Sequence, residues 1–416
     1  MTKRNLLFVS IAFPPKNDSE CIQTSKYFKY LMKSNQFNID VVTSAIPTLF
    51  MPVDESLKKY SLGVRQLINI AFFESKLINF LIKKVTPNIL QQPDSKRNFS
   101  LQWKHVTNQL SHKPDIIYSR SFPLSSTIMA YYLHQHYQKP WILHLSDPWT
   151  LPHRLRLINM DSRTRKWNSS MEYKCLEAAS LITFTSNRIV DLYKEHYPEF
   201  SHKMRISYNV FDTDDITISE PKDFSNTLKI VYTGGLDAAR CPDMILDAIQ
   251  IINDKFPNLA KYLNVTFAGH LDRRNRAIFR NCHIPQIHHI GHLSFKDSLD
   301  LQKNADILLL IDTPMNSIEE SIFFPSKLLD YMLMKKRIIT ITNMNSTAWE
   351  VASECNLGDC IPHNEVDKLV TVLLKAIDNF INRNIGYFTI KNIDMKYSAE
   401  KNVSCLIRRI ENICNG

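Results

Sequence analysis

IVYTGG, Ile230 to Gly235, is a run of strand length that ends on a pair of glycines. Two more runs of this kind follow, VTFAGH from Val265 to His270 and IHHIGH from Ile287 to His292, and each reaches a glycine near its end. The chain holds only 8 glycines in 416 residues, where average usage of about 7% would supply roughly 29, so their placement carries information. A glycine just past a parallel strand lets the backbone turn tightly and lets a ligand approach the main chain, because no Cβ stands in the way. Ordinary turns between strand and helix account for any one of them. The coincidence of Gly234, Gly235, Gly269 and Gly291 with the segment that follows is what points to a binding loop.

That segment is FFPSKLLDYM, Phe323 to Met332. Pro325 cannot extend a strand, Ser326 after it is a good N-cap, and Lys327 to Met334 is helix-forming, so a helix is predicted to begin here. Its first amides and positive dipole end would make a phosphate site, to which Lys327 adds a mobile charge. One turn in, Asp330 offers a carboxylate whose two oxygens suit the two hydroxyls of a ribose. A capped helix with a surface aspartate is the plain alternative.

Working outward, strand-length apolar runs recur in both halves: Leu6–Ser10, Ile39–Ser44, Asp115–Ser119, Trp141–Ser146, Leu181–Ser186 and Arg205–Asn209, then Lys229–Gly234, Asn264–Gly269, His289–Ser294, Ala305–Ile311 and Arg337–Thr342. Most are separated by helix-sized segments. Nearly continuous apolar strands alternating with helices predict parallel, doubly wound α/β sheets. The polar stretch Phe211–Asn226 lacks periodicity and divides the two halves. The predicted organisation is therefore two Rossmann-like domains facing a cleft, 1–210 and 228–395, joined by a linker at 211–227 and closed by a C-terminal helix at 396–416. That helix places Val403, Leu406, Ile407, Ile410 and Ile413 on one stripe, which packs on its own domain or crosses back to the first. Glu55–Val85, rich in Leu, Ile and Phe with interspersed lysines, reads as part of a helical insertion at about 52–110 that packs on the first domain, rests on an anionic membrane surface or binds a lipid-linked acceptor.

Composition narrows the function. Hydrophobic content of 44% and charge of 22% are those of a globular protein. The formal charge of +10 calls for an anionic partner, and the absence of a basic, aromatic-interleaved signature puts nucleic acid below nucleotide phosphates and anionic lipid. No signal peptide or membrane span is apparent, and the eight cysteines form no CxxC pair, which fits reduced thiols in a cytoplasm and no zinc site.

FFPSKLLDYM resembles the PSKLxEYM stretch of retaining GT-B glycosyltransferases of the family-four type. AFPP (Ala12–Pro15) followed by QTSKY, PDIIYSRSFP (Pro114–Pro123), HLSDPW (His144–Trp149), LEAASLITFTS (Leu176–Ser186), ISYNVFD (Ile206–Asp212) and VYTGGLDAARCPDMILDAI (Val231–Ile249) resemble counterparts there in the same order. The resemblance implies a GT-B architecture, a nucleotide-sugar donor (UDP- or GDP-sugar) on the second domain, an acceptor on the first, and transfer with retention. It implies donor contacts at Gly234, Gly235, Arg240, Gly269, Gly291, Ser326, Lys327, Leu328 and Asp330, with Arg240 stabilising the leaving diphosphate in place of a metal, so that no cofactor is expected. In the first domain it implies a loop with Lys16, Asp18 and Ser19, joined by Arg120, on the acceptor side. His144 and Asp147 then stand at a strand end where cleft residues collect, Asp147 the stronger of the two for orienting a hydroxyl.

Three departures stand out. The family's paired acids lie eight positions apart, but eight before Asp330 is Ile322, with Glu319 and Glu320 further upstream. The usual glycine pair of the first-domain loop is replaced by Asp18, Ser19, Glu20 and Cys21, and the arginine that often follows the first glycine of the second domain is Gly235. The expected activity is hexosyl transfer to a surface glycan, as in lipopolysaccharide or capsule synthesis, or to a lipid-linked acceptor at the inner face of the plasma membrane. A nucleotide-sugar epimerase and a non-catalytic GT-B partner are the alternatives.

Overall fold

The computed structural model describes residues 3–46, 48–49, 51–151, 160–215, 225–237, 239–315, 321–390 and 393–415. Two compact units emerge, one of Met1–Val210 with Lys396–Gly416 and one of Phe211–Met395. Most of the expected linker lies outside the described residues.

The first unit is built on seven parallel strands: β1 (Arg4–Val9), β2 (Phe37–Ser44), β3 (Gln66–Ile70), β4 (Ile116–Ser121), β5 (Trp141–Leu145), β6 (Leu181–Phe184) and β7 (Met204–Ile206). Their order is β3-β2-β1-β4-β5-β6-β7. The chain winds one way from β1 to β3 and then the other way from β4, so the direction reverses between β1 and β4. In such sheets ligands bind outside the carboxyl ends of the strands at that reversal.

Glu55–Val85 is not one helical segment. It holds a 3-10 turn at Glu55–Ser61, then β3, then a helix at Lys76–Val85. Gly63 at φ +85° breaks any continuous helix, and the alternation in QLINI sends Ile68 and Ile70 into the core while Leu67 stays exposed. The expected insertion is therefore partly sheet.

The second unit repeats the plan with six parallel strands: β8 (Leu228–Thr233), β9 (Leu263–Ala268), β10 (Ile287–His289), β11 (Ile307–Ile311), β12 (Arg337–Thr342) and β13 (Gly358–Pro362). The order is β10-β9-β8-β11-β12-β13, reversing between β8 and β11. β13 escaped the sequence reading because GDCIP is short of apolar residues and buries only Ile361 fully. β10 is three residues long and is the first half of IHHIGH, ending where the His289–Ser294 run begins.

Each unit has its own core. In the first, Phe8, Phe28, Tyr118 and Ile142 pack with Val403, Leu406, Ile407 and Ile410 of the terminal helix Ala399–Asn415. In the second, Ile230, Val265 and Leu309 pack against Ile245 and Ile249 of the helix Asp243–Lys255 and Leu369 and Leu373 of the helix Val366–Ile381. The stripe seen in the sequence of the terminal helix is thus a core face, and the helix is part of the first unit.

Candidate functional site

The second unit brings Gly234 and Lys327 of FFPSKLLDYM together beside its reversal point, with Gly269 and Gly291 at the ends of the next two strands. Gly234 follows β8 at φ +126°, Gly269 follows β9 at φ +148° and Gly291 follows β10 at φ +83°, all in the left-handed region where only glycine is unstrained. Backbone bonds extend the sheet through them: Gly234 N donates to Ala268 O at 2.7 Å and Gly269 N to Gly291 O at 2.7 Å. A Cβ at Gly269 would strike the Gly234 carbonyl, and one at Gly234 would strike the Lys327 ammonium. Gly235 is less constrained, with only His270 O near its Cβ position.

Lys327 is held over this turn. Its Nζ donates to the Tyr232 hydroxyl at 3.1 Å and lies 4.4 Å from the centre of that ring. Burial first, and the Arg240 charge second, lower its pKa to about 7, while Asp312, Asp237 and Asp330 pull the other way. Arg240 stands beside Asp237 at 3.7 Å, its side chain about a third exposed and its Nε buried without a hydrogen-bond partner. Two cations therefore converge above a surface without Cβ atoms. Such an arrangement accepts a multiply charged anion.

The helix carrying Lys327 departs from the sequence expectation. It spans Lys327–Leu333, and Ser326 is in the helical conformation with no side-chain capping bond. The turn begins one residue earlier, with Leu328 N donating to Pro325 O at 3.0 Å, because the fixed φ of proline pre-forms a first turn. Seven residues give little dipole, so the charge at this site comes from side chains. Leu328 is fully buried and serves the core. Asp330, one turn on, is half-buried. Ile322 is buried apolar packing at 4% exposure; Glu319 and Glu320 lie outside the described residues.

Tyr331 anchors this helix. Its buried hydroxyl accepts Thr233 N at 2.8 Å, and Gln302 Nε2 donates to Thr233 Oγ1 at 2.9 Å, which fixes Lys327 relative to Gly234. Asp312, at the end of β11, accepts Thr313 N at 2.8 Å and Thr342 Oγ1 at 2.9 Å. Burial raises its pKa against the pull of Arg240 and Lys327. Sequence reasoning missed Tyr232, Tyr331 and Asp312. The signal for the last was available: an aspartate directly after the buried strand ADILLLI.

In the first unit the loop after β1 is more enclosed than expected. Lys16 is buried and gives its ammonium protons to Thr43 Oγ1 at 3.1 Å and Ser44 O at 2.9 Å, and burial lowers its pKa to about 8. Asp18 caps the helix Ser19–Lys33 by accepting Cys21 N at 2.7 Å. Ser19 is exposed at the first position of that helix. Lys16 is therefore tied to the end of β2 and Asp18 to the first turn of the helix, and the group that reaches Arg120 of β4 is Glu20.

Glu20 meets Arg120 Nη2 at 3.5 Å. Burial pushes its carboxyl up to about 8, against the Arg120 charge and a hydrogen bond from Ser146; Asp18 and Asp147 push in the same direction as burial. Arg120 is itself fully buried, 4.3 Å from the Tyr27 ring centre and 3.1 Å from the Tyr118 hydroxyl. Arg120, His144 and Thr183 form one row across β4, β5 and β6. His144 shares a hydrogen bond with Thr183 Oγ1 at 3.0 Å. Burial and then Arg120 hold its pKa well below the usual range. It is a neutral interior residue.

Asp147 lies half-buried two residues past β5, close enough to Glu20 to raise that group's pKa. The loop after it is clamped. Trp149 N donates to Tyr193 Oη at 2.8 Å and Trp149 Nε1 to Asn168 Oδ1 at 2.9 Å. Buried Glu172 takes the Thr150 hydroxyl, the Tyr193 hydroxyl at 2.5 Å and the Tyr197 hydroxyl at 3.1 Å, and its pKa is raised by burial.

Solved structures align along the whole chain. HepE of Anabaena, in complex with UDP and glucose, covers 98% of this chain and 99% of its own at 12% identity with a TM-score of 0.64. A glycosyltransferase from Rickettsia africae covers 99% of each chain at 12% identity and TM-score 0.57. The UDP-GlcNAc 2-epimerase of Neisseria meningitidis, bound to UDP-GlcNAc, covers 99% of this chain and 100% of its own at 13% identity and TM-score 0.57.

The chain has the GT-B fold.

No family model and no curated protein matches the chain. At these identities the likeness concerns architecture: two Rossmann-like units with sheets of seven and six parallel strands. The GT-B fold carries both sugar transfer and sugar epimerisation, so the chemistry has to be argued from the side chains.

Proposed function

We propose that this protein is a retaining glycosyltransferase. It takes a hexosyl group from a UDP- or GDP-sugar held by the second unit and passes it to a surface-glycan or lipid-linked acceptor held by the first. The observation that carries the reading is the pair Lys327 and Arg240 above the Gly234 turn, with Asp330 one helical turn away. The diphosphate lies where no Cβ intrudes, the two cations meet its charge, and Asp330 takes the ribose hydroxyls.

In the transfer step the bond between the anomeric carbon and the diphosphate oxygen breaks as the acceptor oxygen bonds to the same face of that carbon. The acceptor's proton passes to the departing phosphate oxygen. Lys327 and Arg240 stabilise the charge that develops there, and Asp147 orients a reacting hydroxyl. The two side-chain cations do what a divalent ion does at other diphosphate sites, so transfer is expected to persist in a chelator.

The test is calorimetric titration of UDP and GDP into the parent, Arg240→Ala and Asp330→Ala. Each substitution is expected to weaken nucleotide binding about tenfold or more with unchanged thermal unfolding; two variants that bind like the parent overturn the site. The epimerase reading is favoured by the structural likeness to a UDP-GlcNAc 2-epimerase. Incubation with UDP-GlcNAc alone separates the two, since an epimerase converts it without an acceptor. A non-catalytic GT-B partner would bind nucleotide and turn over nothing.

A further inference from the structure

Helix Lys76–Val85 has no buried residue. Leu77, Leu81 and Val85 are 68%, 51% and 79% exposed, and Ile78 and Phe80 are also open to solvent. At 100° per residue Leu77, Leu81, Val85 and Ile78 share one side, Lys76 and Lys83 lie opposite, and Lys84 sits on the flank. Phe73, just before the helix, and Ile89, just after it, are exposed too. The capping is regular, with the Ser75 side chain accepting Ile78 N, so this is a formed helix displaying an unpartnered apolar face. Such a concentration of exposed apolar side chains marks an interaction surface.

The charge around this face identifies the occupant. Lys76, Lys83 and Lys84 are the charged residues from Lys76 to Gln92, a span with no aspartate or glutamate, and the chain as a whole carries +10. Lys84 lies 4.6 Å from the Phe80 ring centre, so these two side chains stand together on the flank, at the rim of the apolar face. A protein partner for a basic apolar helix would be met by acids that this span does not select by any directional group, whereas a bilayer of anionic lipid satisfies both faces at once: acyl chains below, head-group phosphates at the lysines. At ten residues the helix is about 15 Å long, too short to span a membrane, and no helix among the described residues is long and apolar enough to do so. It can only lie in the interface.

We infer that helix Lys76–Val85 docks the first unit on an anionic membrane surface, with Leu77, Ile78, Leu81 and Val85 inserted among the acyl chains and the three lysines at the phosphates. The inference stands on this helix and is independent of the nucleotide site.

The experiment is flotation of the full chain with vesicles of phosphatidylcholine alone and of phosphatidylcholine with about a third phosphatidylglycerol, at low and high salt. Binding to the anionic vesicles is expected, falling at high salt and falling about fivefold for each lysine neutralised. The double variant Leu77→Asp, Leu81→Asp is expected to lose it while keeping the parental melting temperature and UDP affinity. Absence of binding by the parent, equal binding to both vesicle types, or equal binding by the double variant overturns the inference. So does a parent that sediments as a dimer which the double variant dissolves, because a second copy then covers the face.

Discussion

At the scale of single residues, the decisive groups are ones whose burial sets their charge. Lys327, with its pKa lowered to about 7, is largely neutral above that pH in the empty protein. A bound diphosphate favours the ammonium and raises the pKa again. Nucleotide binding is then expected to take up as much as one proton, and affinity to fall as pH rises above 7, by at most tenfold per unit. Calorimetry at pH 8 in two buffers of different ionisation enthalpy reads the uptake, which Lys327→Gln should abolish; a parent that takes up none removes Lys327 from the site. Glu20 works in the opposite direction. Its folded pKa of about 8 exceeds that of an unfolded glutamate, so its contribution to stability is present below about pH 4.5 and is lost as pH rises to about 8, at no more than about 1.4 kcal/mol per unit. Glu20→Gln should flatten the pH dependence of chemical denaturation across that window. Glu20 stood in plain view in the sequence as one of the residues replacing a glycine pair, but its importance depends on Arg120, a hundred residues away, and nothing local signals that.

At the scale of elements, the turn after β8 and the turn after β9 are locked together. A methyl at Gly269 meets the Gly234 carbonyl and sits at φ +148°, so Gly269→Ala is expected to destabilise the second unit by at least about 2 kcal/mol in denaturant and to weaken nucleotide binding with it. A variant of parental stability would show that the two turns can separate. The glycines were legible in the sequence because glycine is so scarce here. The helix start was not: Ser326 has the chemistry of a cap, yet Pro325 had already begun the turn. Glu55–Val85 was misread for a related reason. Its apolar density suits a helix, and only the partner strand β2, paired with β3 from Asp40 to Ser44, turns QLINI into sheet.

At the scale of the whole molecule, each unit closes its own core, and the last helix belongs to the first unit. Leu406, 1% exposed among Phe8, Phe28 and Tyr118, makes the point testable. Leu406→Ala is expected to remove about 3 kcal/mol from the first unit and to lower one calorimetric transition while the second unit's transition stays in place; a shift confined to the second transition contradicts this assignment. The sequence by itself determined two doubly wound sheets, because buried parallel strands must be apolar throughout and the helices between them periodic, and those constraints are local. It also located the glycine turns and FFPSKLLDYM. Only the tertiary structure decided that Lys16, His144 and Leu328 are interior, that Asp18 is a cap, and that Glu20, Asp312, Tyr232 and Tyr331 belong beside the expected residues. Burial, which sets a side chain's charge and availability, is a property of neighbours distant in the chain, and no window of sequence contains it.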